Sequence, residues 1–500
     1  MTKKKSESEG KKAAKGIGLL SVGRLLGTLI SFGSMAVLAR LLIPADFGIM
    51  TTSLIVIALA TAVFDGAFAI GLVQRKEIND EYVSSAFWLS LILAFILFLL
   101  ICIATPFVSV FFHSNGYQLM YVISGSSLIF KAVENTSLAY LRRTSRFKHI
   151  VLYQVASSLI GYGPVSIALA LQGYGAWSLV WGQFAVSVLA GAGAFYLAKL
   201  PLKFVLTRGA IRDIFETSGH FTASQVLNWA ALTGSNSVVA HMLGVKELGL
   251  YSRAWKLLDI ATAVSAAPFS SVLVPAFSRM QSEPSKANSA LRKALELTVP
   301  FFAVFSALVV VHAQAVVDIC LGKKWGASVP LIQLLFCALI PRCCYKITES
   351  AMVGFGRSKS VASRQLLYAG LMVGGAIVAA PFGALWIAVS TSLAVTLFYI
   401  TSLTFAARLV DMKVAVAFAI HARAIGLAVA IGLIDFLVTL GLGHLGFWVS
   451  QIAGGIVALA LVGVSILTLP EFLIGREWPE MGRKIAGKLP FGSKLLKFQK

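Results

Sequence analysis

Residues Phe87–Val110 read FWLSLILAFILFLLICIATPFVSV, without a single charged side chain. A helix needs about 20 mostly apolar residues to cross the hydrocarbon core of a bilayer. Strands of a membrane barrel alternate in polarity and are far less hydrophobic, so a continuous run indicates a helix. This stretch therefore predicts a transmembrane helix, within the span 84–113.

The same pattern recurs along the chain, in which 58% of the residues are apolar and 13% charged. Soluble proteins carry about 25% charged residues, so a soluble enzyme, a disulfide scaffold, a disordered chain and a free nucleic-acid-binding domain are excluded. The sequence predicts an all-α polytopic membrane protein. Its fourteen predicted spans are 16–40, 47–74, 84–113, 117–139, 151–171, 176–198, 218–243, 255–277, 294–320, 328–352, 364–381, 383–407, 415–440 and 446–470.

The distribution of Lys and Arg predicts the orientation, since cytoplasmic loops carry an excess of both. With the N-terminus inside, 32 of them fall in cytoplasmic segments and five (Arg40, Lys246, Arg253, Lys323, Lys324) outside. Both termini are therefore expected in the cytoplasm, as the basic segments 1–15 and 471–500, with a cytoplasmic linker at 199–217. Loop topology and attraction to anionic lipid explain most of the net charge of +22, and no nucleic-acid partner is expected.

The chain shows no spacing typical of a catalytic or metal site. Its five cysteines fall in or beside apolar runs without a CxxC pair, and a Gly-rich phosphate loop, an HExxH motif and a nucleophile elbow are all missing. We expect no catalytic residue, metal, disulfide or cofactor. The longest hydrophilic loop is also too short for a nucleotide-binding domain, which argues against an ATP-driven pump.

The two halves of the chain repeat each other. A shift of 201 residues places Asp46 on Glu247 and Gly48 on Gly249, and a shift of 215 places Lys131 and Glu134 on Lys346 and Glu349. Six spans separate the copies, so both copies have the same orientation and an axis along the membrane normal should relate them. Parallel-repeat transporters have this layout, with the substrate site between the halves. We predict an N-terminal lobe over 16–198 and a C-terminal lobe over 218–407, each with six helices, and two further helices over 415–470.

Ionisable residues inside the predicted spans are the candidate site residues, because charge in hydrocarbon is costly unless it meets a partner or a water-filled cavity. The cations Arg24, Arg253, Lys256, Arg342, Lys346 and Lys131 are predicted to bind an anionic substrate. Asp65, Asp259, Glu134 and Glu349 are candidates for ion coupling or ion pairs. For most of these residues, packing by ion pairs alone is the alternative; for Arg253, Lys256 and Asp259 the alternative is an interfacial anchor. Asp435 lies near the end of its span, where no functional role is favoured.

Three stretches resemble the Wzx-type polysaccharide flippases of the multidrug/oligosaccharidyl-lipid/polysaccharide exporter superfamily, in the branch that serves exopolysaccharides. They are ARLLIPADFG at Ala39–Gly48, GYGAWSLV at Gly173–Val180 and LGVKELGLYSRAWKL at Leu243–Leu257. The resemblance covers about residues 17–410. It implies two six-helix lobes around a central cationic cavity that opens alternately to each side, with the last two helices as additions. The chain departs from the pattern at Ser235, where relatives often carry an acidic residue.

The resemblance implies a bacterial inner-membrane flippase, not an enzyme, that moves a polyprenyl-diphosphate-linked oligosaccharide repeat unit for exopolysaccharide, capsule or O-antigen assembly. Its partners would be the lipid bilayer, a polysaccharide polymerase and assembly proteins. Three alternatives stay open. A drug or small-solute exporter of this fold would bind cations and need a more acidic cavity. A membrane glycan polymerase or ligase would need a large external loop. A lipid scaffold without transport would not need charges at the midplane.

Overall fold

A computed structural model describes residues 2–68, 80–206 and 208–468 of the chain. Within these ranges, the side chains at 2–17, 21, 24, 65–68, 208–221, 223–224, 264–271 and 466–468 fall outside the description. The side chains of Arg24 and Asp65 are among them. Their roles in substrate binding and ion coupling therefore stay predictions.

All regular secondary structure in these described ranges is helical. The α-helices are α1 (Thr2–Leu41), α2 (Pro44–Phe68), α3 (Asp80–Phe111), α4 (Gln118–Arg143), α5 (Phe147–Ile160), α6 (Ser166–Leu171), α7 (Ala176–Ala198), α8 (Arg208–Leu243), α9 (Val245–Arg279), α10 (Pro284–Val311), α11 (Ala313–Cys320), α12 (Val329–Cys337), α13 (Leu339–Gly354), α14 (Ser358–Ala379), α15 (Ala384–Leu409), α16 (Val414–Gly441) and α17 (Phe447–Thr468). Short 3-10 turns cover Lys323–Ser328, Ala380–Phe382 and Gly443–Leu445, and a π-helical turn covers Gly161–Val165.

Every predicted span overlaps one or more of these helices. Eleven helical stretches of the described residues are long and apolar enough to cross a membrane. The other three predicted spans correspond to α4, α8 and α9, which carry several charged residues and are not among the eleven. Large apolar side chains point outward along the helices, as at Phe107 and Ile103, which are 74% and 68% exposed. Such extensive exposure suits a lipid-facing surface. The all-helical membrane fold is confirmed, and the count of fourteen stays a prediction.

Proline and glycine set the turns between consecutive helices. Pro44 begins α2, where its missing N–H is not needed, and it disfavours helical backbone at the residue before it. Gly244 has φ +87° and separates α8 from α9, the left-handed conformation that commonly ends a helix. Pro164 lies in the π-helical turn, because its ring cannot continue the regular hydrogen-bond ladder.

The chain divides into two compact units. Unit 1 comprises Met1–Arg253, Ile319–Trp325 and Ala376–Ala384; unit 2 comprises Ala254–Asp318, Gly326–Gly375 and Leu385–Lys500. In unit 1, α4 packs on α7 and α3, and α2 packs on α8. In unit 2, α10 packs on α16, α13 and α12, and α16 packs on α17. The predicted lobe boundaries at 16–198 and 218–407, and the central cavity, stay predictions.

Candidate functional site

The two repeat copies meet in unit 1 at a reciprocal contact of two glycines. A Cβ built on Gly48 would overlap the carbonyl oxygen of Val245, and a Cβ built on Gly249 would overlap the carbonyl oxygen of Pro44. A shift of 201 residues carries Gly48 onto Gly249 and Pro44 onto Val245, so the two contacts are copies of each other. Small residues allow helix backbones to approach this closely in membranes. Glycine is therefore required at both positions of the sequence repeat.

One turn further along α2 and α9, the contact becomes polar. Thr51 Oγ1 donates a hydrogen bond to Ser252 Oγ at 3.2 Å, and both residues are buried. They too are 201 residues apart. A contact between equivalent positions is what a two-fold relation produces. This contact agrees with the internal repeat predicted from the sequence, which stays a prediction.

Arg253 follows Ser252 and carries its guanidinium over the ring of Phe47, 4.9 Å from the centroid. Its Nε is buried and has no hydrogen-bond partner. Tyr162, in the π-helical turn, lies close enough to interact electrostatically with Arg253, and its hydroxyl donates a hydrogen bond to Gln183 Oε1. We call Arg253, Phe47, Tyr162 and Gln183 the Arg253 cluster. It joins α2, the π-helical turn, α7 and α9 within unit 1.

A buried tryptophan fixes the position of Phe47. Trp325 is fully buried, meets the Phe47 ring edge-on at 5.3 Å, and donates a hydrogen bond from Nε1 to the carbonyl of Ala39 at 2.8 Å. Beside it, Arg40 donates to the carbonyl of Ile319 at 2.7 Å. The segment Ile319–Trp325 thus belongs to unit 1, although the residues before and after it belong to unit 2.

The Arg253 cluster has the chemistry of an anion site. Among the residues that the structure describes, no carboxylate pairs with Arg253, and a buried donor without an acceptor is costly. A guanidinium binds phosphate through a planar fork of N–H groups and also stacks on aromatic rings. A guanidinium that has no carboxylate partner and stacks on an aromatic ring therefore suits a ligand with a phosphate group and a neutral, hydroxyl-bearing portion.

Arg342 is paired, although no carboxylate lies close to it in the sequence. Its Nη2 lies 3.1 Å from Asp259 Oδ1, its Nη1 donates to Tyr368 Oη at 3.1 Å, and its guanidinium lies 5.0 Å from the Trp255 ring centroid. Arg342 is 7% exposed. The predicted substrate cation Arg342 and the predicted coupling carboxylate Asp259 thus form an ion pair within unit 2. Any contact of Arg342 with substrate would have to compete with this pair.

The two predicted Lys-x-x-Glu pairs form as equivalent ion pairs. Lys131 Nζ lies 3.0 Å from Glu134 Oε2, and Lys346 Nζ lies 2.8 Å from Glu349 Oε2. The copies differ in exposure: the Glu134 side chain is 10% exposed and the Glu349 side chain 31%. Tyr153 Oη also donates to Glu134 Oε1, at 3.5 Å. This local pairing agrees with the packing alternative, and a role of either lysine in substrate binding stays a prediction.

These pairs predict a ranking of stability effects. Lys131→Ala and Lys346→Ala should each lower the free energy of unfolding by at most about 0.5 kcal/mol, since such helix pairs contribute about 0.2–0.5 kcal/mol. Arg342→Ala should lower it by about 1.5–3 kcal/mol, because a buried charged hydrogen-bonding group is lost. Thermal melting of the three purified variants in one detergent checks the ranking. Arg357→Ala, at an exposed position beyond α13, should melt like the wild type. Equal melting of the Arg342 and lysine variants would contradict it.

The remaining predicted cation, Lys256, is exposed on α9 and stays a prediction as a substrate ligand. Among the described residues, no group of three or more His, Cys, Asp or Glu side chains could hold a metal ion. The described cysteines are free thiols.

Sequence reasoning missed two features. Nothing in the sequence indicates that Tyr162 and Gln183 lie near Arg253. The glycines on both sides of Tyr162 and the following Pro164 do, however, predict an irregular helix at this point of the span. Asp435 is fully buried and lies 2.9 Å from His312 Nε2. A carboxylate within an apolar span is enough to predict that it has a partner, even where it lies only a few residues from the helix end.

Comparisons with known proteins agree with this fold. The model of a family described as polysaccharide biosynthesis protein matches residues 37–330. Succinoglycan biosynthesis transport protein ExoT of Rhizobium meliloti is 23% identical over 61% of this chain and 62% of its own length. Lipopolysaccharide biosynthesis protein WzxC of Escherichia coli is 25% identical over 62% of this chain and 64% of its own length. The chain thus matches less than two thirds of the length of these two relatives.

Solved structures share the fold at low sequence identity. The lipid II flippase MurJ in an inward closed conformation superposes with a TM-score of 0.72 at 14% identity, over 89% of this chain and 98% of the other. An inward-facing multidrug resistance MATE family transporter of the MOP superfamily gives a TM-score of 0.61 at 17% identity, over 80% of this chain and 99% of the other. The fold predicted from the resemblance is confirmed. Because the family model covers more than half of the chain, the protein belongs to the family of polysaccharide biosynthesis proteins.

Proposed function

We propose that this protein is a flippase that moves a polyprenyl-diphosphate-linked oligosaccharide repeat unit across the bacterial inner membrane for exopolysaccharide, capsule or O-antigen assembly. The Arg253 cluster carries the proposal. Burying an anion and its hydroxyls in hydrocarbon costs many kcal/mol unless they are paired. An unpaired guanidinium on an aromatic floor, inside a helical membrane fold, offers the substrate's diphosphate such a partner. The names of the relatives, which concern polysaccharide biosynthesis and transport, support this substrate class.

Alternating access is the proposed mechanism, in which two lobes rock about a substrate site. The tight crossing at Gly48 and Gly249 holds the repeat copies together at the ends of α2 and α9 that we predict to face outward. Closure here would seal the outer side, and separation would open it. In this proposal both termini are cytoplasmic, the lobes span 16–198 and 218–407, and a polysaccharide polymerase and assembly proteins receive the product. The protein is a transporter in this proposal, and it makes and breaks no covalent bond.

The positive charge of the proposed substrate site disfavours export of cationic drugs. Such a substrate would need a carboxylate free to receive it. Of the predicted coupling carboxylates whose side chains are described, Asp259, Glu134 and Glu349 each pair with a cation of this chain. The similarity to a multidrug transporter is one of fold. An anionic substrate therefore fits the described groups better.

Deletion of the gene from its host tests the proposal. The strain should lose surface polysaccharide and accumulate the lipid-linked repeat unit, because synthesis on the cytoplasmic leaflet continues while export stops. Extracted lipid-linked intermediates, measured by mass spectrometry, check the result, and complementation with the wild-type gene should restore export. A second deletion, of the glycosyltransferase that adds the first sugar, should remove the intermediate. Normal surface polysaccharide without accumulation, in a strain with no paralogue, would rule the flippase out.

A further inference from the structure

A buried polar cluster in unit 2 plays no part in the proposed substrate site. Asp435 on α16 is fully buried, and its Oδ2 lies 2.9 Å from Nε2 of His312, which follows the last residue of α10. On the other side of the imidazole, Nδ1 lies 2.6 Å from Gln451 Oε1 on α17. The His312 side chain is 14% exposed. The three residues join the helix pair α16 and α17 to α10.

The groups on the two sides of the imidazole favour two ring protons. An ionised carboxylate only accepts hydrogen bonds, and so does an amide oxygen. A neutral imidazole carries one N–H, whereas the imidazolium carries two. With Gln451 Oε1 on one side and Asp435 Oδ2 on the other, the imidazolium is the protonation state that matches this orientation of the amide.

Charge balance in the apolar surroundings leads to the same conclusion. If His312 is neutral, Asp435 carries an uncompensated charge at a fully buried position, which is strongly unfavourable. Asp435 Oδ2 and His312 Nε2 lie within ion-pair distance, but their geometry is not that of a hydrogen bond. Among the described residues, the only hydrogen bond to the carboxylate comes from Thr439 Oγ1, which donates to Oδ1 at 3.5 Å. The carboxylate thus depends on His312 for compensation.

The carboxylate lies where α16 and α17 are in closest contact. A Cβ built on Gly454 of α17 would overlap both Asp435 Oδ1 and Thr439 Oγ1. An unbalanced charge would therefore stand directly at the crossing of the two helices. Asp435 is six residues from the end of α16 at Gly441, about 9 Å along the axis at 1.5 Å per residue.

Other groups at the cluster do not provide the compensation. Gln451 and Thr439, which face the pair from α17 and α16, are neutral. The nearest titratable side chains along the same segments have contacts of their own: Gln314 Nε2 donates to Asp318 Oδ1 at 3.1 Å, and His444 Nδ1 lies 2.9 Å from the carbonyl of Gly441. The proton of His312 is thus the compensating charge that the described contacts provide.

We propose that His312 and Asp435 form a proton-binding site that is distinct from the substrate site. The site takes up one proton from the aqueous phase on His312, becomes an imidazolium–carboxylate pair, and then holds α16 and α17 against α10. Loss of the proton leaves the buried carboxylate unbalanced and weakens this attachment. The C-terminal helix pair is therefore attached more firmly at low pH than at high pH.

Melting temperatures of the full-length protein in nanodiscs, at about pH 6 and about pH 8, test the site. The wild type should have a higher melting temperature at about pH 6 than at about pH 8. In the neutral double variant H312Q/D435N this pH difference should vanish. Asp435→Asn should reverse the sign of the contribution, because protonation then places an unpaired imidazolium in the apolar interior. Asp318→Asn is the matched control, since it removes a carboxylate that pairs with Gln314 instead of a histidine, and it should keep the wild-type difference.

Two results would overturn the proposal. One is a wild-type pH difference retained in both Asp435→Asn and H312Q/D435N. The other is an equal change in the Asp318→Asn control. If Asp435→Asn does not fold, the double variant decides alone, because it replaces both members with neutral groups of similar shape. Melting does not depend on the transported substrate, so failure here leaves the flippase proposal standing.

Discussion

Arg253→Ala is expected to reduce export of the lipid-linked repeat unit at least about tenfold, while the protein inserts and melts close to the wild type. A hydrogen bond to a charged group contributes about 1.5–3 kcal/mol, and each 1.36 kcal/mol corresponds to a factor of ten in rate. Stability should change little, because loss of the contact with the Phe47 ring, about 2 kcal/mol for a desolvated pair, is offset by removal of a buried Nε that has no protein acceptor. Export in complemented deletion strains, normalised to membrane protein level, measures the effect.

Two companion variants separate recognition from charge. Arg253→Lys keeps the charge but loses the planar fork, so we expect partial activity. Arg279→Ala is the matched control, because Arg279 is an exposed arginine at the other end of the same helix, and it should export normally. Full export by Arg253→Ala would show that the Arg253 cluster is not part of the substrate site. Loss of export by Arg279→Ala to the same degree would attribute the effect to net charge.

Features that depend on nearby residues could be predicted from the sequence. The spans follow from long apolar runs, and Lys131 pairs with Glu134 because residues three apart on a helix are neighbours. The repeat could be predicted because charged residues are rare in membrane spans, so a charged pattern that recurs there does not arise easily by chance. The repeat aligns Gly48 with Gly249, but the close contacts of these two glycines are seen only in the structure.

Features that depend on distant residues could not be predicted. Asp259 and Arg342 pair across 83 residues, and the sequence offers no way to choose this carboxylate among several. The environment of Arg253 is assembled from α2, α7, α9 and a π-helical turn, whose mutual packing is decided by side-chain shape. The partnership of His312 with Asp435 likewise depends on how α16 packs against α10. Such pairs form where tertiary packing brings separate helices together.

A disulfide between Thr51→Cys and Ser252→Cys is expected to stop transport completely and reversibly. The two side-chain oxygens lie 3.2 Å apart at equivalent positions of the repeat copies, so cysteines at these positions would bring two sulfurs close enough for a small side-chain rotation to form the S–S bond of about 2.05 Å. If alternating access needs this crossing to separate, a covalent link holds the outer side closed. The five native cysteines would first be replaced, and export would be measured after oxidation and again after reduction. The single-cysteine variants should transport under both conditions.

A second cysteine pair provides the matched control, since it links helices within one copy. Ser90 Oγ and Thr136 Oγ1 lie 3.1 Å apart between α3 and α4, and both residues are buried. The oxidised pair Ser90→Cys and Thr136→Cys should export normally, because rocking of the copies leaves the packing inside each copy unchanged. The link between positions 51 and 252 joins the copies themselves, so only this link should arrest the cycle. Normal export by a fully cross-linked 51/252 variant would show that the crossing never opens and that access to the outer side must lie elsewhere.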